Sequence, residues 1–148
     1  MAISALRAGK YLCEISDWSL TNLSLQKLLY IAHMVHLGTR GEPFIKDSFE
    51  AWDYGPVLPS LYHQVKIFGS APIRNIFRSV KDLREDGKAA EWLDEAYEGL
   101  GDLRPSQLVA ITHREKGAWA KNYVPGVHDI VIPNEDIKAE YRTYQRGS

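Results

Sequence analysis

Apolar positions along this chain recur mostly at intervals of three and four, and the densest set lies between Leu25 and His36. Leu25, Leu28, Leu29, Ala32, Val35 and His36 share one face of a helix at that spacing. The opposite face carries Tyr30, Ile31 and Met34 beside a lone Lys27. A helix apolar nearly all round is a buried one, so this segment is expected at the centre of the core. Thr21 or Asn22 offers an oxygen to cap its free N–H groups, and Gly38 and Gly41 are expected to end it. The period then changes to two. Phe49, Ala51 and Asp53 alternate with Glu50, Trp52 and Tyr54, which predicts a short strand. Pro43, Phe44 and Ile45 are the candidate hairpin partner, with Asp47 and Ser48 in the turn, and Gly55-Pro56 is expected to break the strand. Pro59 suits the first turn of the next helix, whose apolar face is Leu61, Tyr62, Val65 and Phe68 and whose end is Gly69.

Helical spacing also predicts a first helix over 3–15, with Leu6, Leu12 and Ile15 inward and a break at Ser16-Asp17. It predicts another over 73–85, with Ile73, Ile76, Phe77, Val80 and Arg84 in register. The segment 88–100 sets Ala89, Trp92, Leu93, Ala96 and Leu100 against Glu91, Asp94, Glu95 and Glu98. A short helix is expected over 106–113, a brief strand at Ile130-Val131-Ile132, and a last helix from an Asn134 cap through about Tyr144. The expected class is mainly α (α+β): a compact helical domain around a buried central helix, with one small β-hairpin. A length of 148 residues fits a single domain, 1–148.

Composition narrows the function classes. Hydrophobic content of 45% and charged content of 25% are those of a globular protein, and a net charge of −1 exerts no global pull on nucleic acid or an acidic membrane. No apolar run approaches the ~20 residues that span a bilayer, so no membrane partner is expected and the cytoplasm is the default location. The single cysteine, Cys13, excludes an internal disulfide and reads as a small core residue. His33 and His36 lie three apart on a helix, yet no third ligand stands at a suitable spacing. They read as core or edge histidines, and no metal or other cofactor is expected. His63, His113 and His128 are scattered. No GxSxG elbow, P-loop or GxGxxG occurs, so no catalytic residue is assigned and a non-enzyme is expected. A hydrolase using His113 with a distant carboxylate is one alternative. Charge is nevertheless segregated. Residues 66–84 hold five basic residues against Asp82, and 85–102 hold seven acidic residues against Lys88. The basic stretch could meet a phosphate backbone, which makes a nucleic-acid-binding regulator the other alternative, or it could be a solvated face pairing with the acidic helix.

Three blocks in order, LQKLLYIAH at 25–33, EAWDYGPVLPSLY at 50–62 and THREKGAW at 112–119, resemble the Panacea antitoxin domain, the family of SocA-like antitoxins and phage-associated GepA-like proteins. The resemblance runs from about 23 to 137. It implies an antitoxin that binds a cognate protein toxin directly, and, as in SocA-like members, an adaptor that hands the toxin to an AAA+ protease such as ClpXP. Within it Trp52, Gly55, Pro56 and His113 read as the signature of the fold. Tyr54 and Trp119 are candidate anchors for the toxin, because large aromatic side chains dominate protein interfaces. The acidic face at Glu91, Asp94, Glu95 and Glu98 is the candidate rim, suited to steering a basic toxin.

Overall fold

The computed structural model describes residues 2–100, 110–112 and 117–145. The expected helix over 106–113 lies outside them apart from 110–112, which are helical, and His113 is among the residues not described. The central helix, α2, spans Asn22–Arg40 and is buried continuously from Ser24 to Met34. Thr21 caps it by accepting the Ser24 N–H at 3.2 Å. Gly41 closes it in the left-handed conformation, φ 73°. Gly38 does not end the helix as expected. It lies inside the last turn, where a Cβ would land within the Tyr141 ring, so the glycine serves a close approach of two helices.

Around α2 pack α1 (Ala5–Ile15), α4 (Gly87–Leu100) and α6 (Asn134–Gln145). Two short helices, α3 (Pro59–Val65) and α5 (Ala118–Asn122), intervene along the chain. Pro59 stands in the first turn of α3, and Gly69 turns the chain after it at φ 57°. Ser4 caps α1 through the Arg7 N–H. Asn134 begins α6, yet its side chain is drawn away to His33. The fold is mainly α, with one two-stranded antiparallel sheet. Among the described residues no helix is long and apolar enough to cross a membrane.

Two expectations are corrected. The hairpin is β1 (Glu50–Trp52) with β2 (Gly55–Val57), in the register Glu50 to Val57, Ala51 to Pro56 and Trp52 to Gly55. Gly55-Pro56 is therefore the return strand rather than the break. Proline is tolerated there because its ring nitrogen faces away from β1, on the side where its carbonyl meets α2. Phe44 and Ile45 pair instead with the start of the chain, through Ile3 N–H to Phe44 O and Lys46 N–H to Ile3 O, both at 2.9 Å. Residues 73–85 are not a helix. The chain is irregular to Val80 and makes one short 3₁₀ turn at Leu83–Glu85. Ile73 and Phe77 are buried one at a time, and the Ile73 N–H bonds Leu20 O at 2.9 Å rather than a helical partner.

Candidate partner-binding surface

The turn of the hairpin, Asp53-Tyr54, is built by contacts from distant parts of the chain. Asp53 Oδ1 accepts from the Tyr123 hydroxyl at 2.6 Å and from the Gly126 N–H at 3.3 Å. The Tyr123 hydrogen bond, then the Gly126 amide, hold the Asp53 carboxyl below its usual range. The segment after Gly126 runs back along β1. Ala51 N–H donates to Ile130 O and Ile132 N–H to Phe49 O, both at 2.8 Å, so the expected strand at 130–132 appears as a single bridge, Val131 to Glu50. Trp119, half-buried on α5, donates from Nε1 to Trp52 O at 2.7 Å and stacks on Tyr123 at 4.5 Å.

Trp52 is 9% exposed. Its indole N–H donates to Glu50 Oε1 at 2.9 Å. One face stacks on His128 at 4.9 Å, and Tyr62 meets the ring edge-on at 4.8 Å. Tyr54, the next residue but one, is 67% exposed. Of the five large hydrophobic side chains exposed among the described residues, four belong to this surface: Tyr54, Val124, Val127 and Val131. The three valines and His128 escape a sequence reading, since the Asp53–Tyr123 bond that brings them to the turn joins positions 70 apart.

Beneath the hairpin the polar groups of α2 are all engaged. Gln26 Oε1 accepts the Leu58 N–H at 2.8 Å. Lys27, fully buried, donates to Pro56 O at 3.3 Å, and burial brings its pKa down to about 7. His33 accepts the Ile45 N–H at Nδ1 and donates from Nε2 to Asn134 Oδ1. With both ring nitrogens occupied, and its pKa lowered to about 4 chiefly by burial, His33 is a neutral structural group. Among the described residues no three His, Cys, Asp or Glu side chains gather as metal ligands. Burial pushes the Cys13 thiol up to about 12, which keeps it protonated and unreactive.

The acidic face lies elsewhere, on α4. Glu91, Glu95 and Glu98 are exposed there, while Asp94 is half-buried and accepts from the Tyr11 hydroxyl at 2.7 Å. Asp94 thus ties α4 to α1. Burial, then this bond, raises Tyr11 to about 12. The basic stretch is partly neutralised by Lys81–Glu85 and by Arg84 with Glu14 and Asp82.

The sequence that builds this helical domain and its hairpin matches a known family. Residues 25–120 match the model of the SocA-like antitoxin, Panacea domain, and the chain belongs to that family. It is 35% identical over 114 residues to Antitoxin SocA of Caulobacter vibrioides (strain NA1000 / CB15N). That match covers 70% of this chain and 60% of the relative's length. No solved structure matches.

Proposed function

We propose that this protein is an antitoxin that neutralises a cognate protein toxin by direct binding in the cytoplasm, without turnover, and that the toxin docks on the hairpin surface. Family membership supports the toxin as partner. The observation that carries the site is the exposure of Tyr54 on the hairpin turn and of Val124, Val127 and Val131 on the segment that Asp53 ties to it. Apolar side chains held rigidly and left in water suit an interface core, and a specific interface buries on the order of 1,200–2,000 Å². The experiment is a titration of the toxic gene product encoded beside this one. Tyr54→Ala should leave the fold intact, since its ring is mostly in solvent, and should weaken binding by about 2 kcal/mol, roughly 30-fold, mainly through the off-rate. Unchanged binding in that variant, with loss on charge reversal at Glu91, Glu95 and Glu98, would move the site to α4. Rescue should need a fixed small-integer ratio of antitoxin to toxin; trace antitoxin clearing excess toxin in a purified mixture would overturn the binding reading. Delivery to an AAA+ protease such as ClpXP extends the same proposal. In that case toxin lifetime in the cell should shorten when antitoxin and protease are both present.

A further inference from the structure

We propose a second docking site, beside Trp18, that takes an apolar side chain flanked by carboxylates on a partner protein. It shares no residue with the hairpin surface and does not depend on the toxin reading.

After α1 the chain passes through two consecutive left-handed residues that are not glycine, Asp17 at φ 55° and Trp18 at φ 58°. The conformation closes the helix through the Trp18 N–H to Cys13 O bond at 2.8 Å, a role in which glycine is free of strain. A tryptophan there costs about 1 kcal/mol or more. What the indole adds is a wall. It stacks on Phe77 at 6.3 Å and, with Phe68, Ala71, Pro72, Ile73 and Arg74, lines an open pocket of about 460 Å³. Ile67, the residue before Phe68, is 82% exposed.

Charge selects the occupant. Residues 66–81 contain Lys66, Arg74, Arg78 and Lys81 and no acidic residue. Lys81 is paired with Glu85, and Lys66 Nζ lies 3.3 Å from His63 Nδ1. Arg74 and Arg78 are exposed and hold no ion pair among the described residues. Asp17 adjoins Trp18, while the next carboxylates along the flanking segments, Glu14 and Asp82, pair with Arg84. An apolar floor with a free guanidinium at its lip holds one or two apolar side chains and offers a planar fork to a neighbouring carboxylate. Trp and Arg together are also the residue types that dominate binding energy at interfaces. A phosphate backbone fits less well. It is held by a track of cations, of which two are free here, and it would leave the apolar floor uncovered.

The test is to pan a phage-displayed random peptide library against the full chain. The selected peptides are then titrated against wild type, Arg74→Glu and Ala71→Trp. Both substitutions sit at exposed positions, and the second fills the pocket. Expected are peptides with an apolar residue beside Asp or Glu, weakened roughly tenfold or more by either substitution. Failure to enrich any peptide, peptides without that pattern, or binding to either variant as tight as to wild type would overturn the proposal. So would an oligothymidylate that binds wild type more tightly than any selected peptide and is lost in Arg74→Glu, which would assign the surface to phosphate.

Discussion

Lys27 is fully buried, and among the described residues its one hydrogen-bond acceptor is the Pro56 carbonyl. Burial alone lowers its pKa from 10.5 to about 7. The unfolded chain therefore keeps a proton that the folded chain has released between those two values. Stability must rise with pH across that window, and the penalty is complete below about 7, on the order of 5 kcal/mol. Cys13 acts in the opposite sense above 9.0, because its folded pKa is raised, so the clean window is pH 7 to 9. His33, lowered from 6.5 to about 4, adds a separate loss of stability as pH falls through that range. Lys27→Met should stabilise the protein at neutral pH by about 1–3 kcal/mol. The gain is smaller than the full penalty because the Pro56 carbonyl loses its donor. Urea melts between pH 5 and pH 9 check this. The variant should lose the rise from 7 to 9 and keep the acid-side fall; an unchanged slope would assign the rise to other groups.

Among the elements, the contact of α2 with α6 has the least tolerance. Alanine replacing glycine inside a helix ordinarily gains about 0.5–1 kcal/mol. At Gly38 the sign should reverse, with a loss of about 1–3 kcal/mol, because the added methyl meets the Tyr141 ring. In a Tyr141→Ala background the same substitution should become neutral or favourable, and a double-mutant cycle in urea measures the difference. This contact also shows where a sequence reading stops. Apolar spacing located α1, α2 and α4 because each buries one continuous stripe or is buried all round, whereas Asn134 located α6. The same spacing at Ile73, Ile76, Phe77 and Val80 predicted a helix that does not exist: periodicity reports which residues are buried, not how the backbone between them is bonded. Gly38 read as a terminator for a related reason, since a glycine needed for close approach looks the same as one needed for a turn. The alternation from Phe49 to Tyr54 located the strand, but its partner was a matter of turn geometry, and Gly55, at φ 109°, turns the chain back at once.

At the scale of the whole molecule, the sequence marked Tyr54 and Trp119 but could not show that one is exposed and the other pinned beneath the turn. That arrangement depends on the buried Glu140, one of whose oxygens, Oε1, accepts from the Tyr30 hydroxyl at 2.7 Å on α2 and from the Ala118 N–H at 2.9 Å at the start of α5. Helix α5 has five residues and cannot be stable alone. Its order is borrowed through this carboxylate, and Trp119 relays it to the hairpin at Trp52 O. Glu140→Gln should therefore speed amide exchange at Ala118 and at the Trp119 indole while leaving the middle of α2 protected; exchange that quickens everywhere alike would show global destabilisation instead. A surface held in this way is preorganised. The ordering entropy that a flexible loop loses when a partner arrives has already been lost on folding. If the proposed docking site is the hairpin surface, loosening Glu140 should weaken partner binding without touching a residue of that surface, so affinity there would be set in part at the centre of the core.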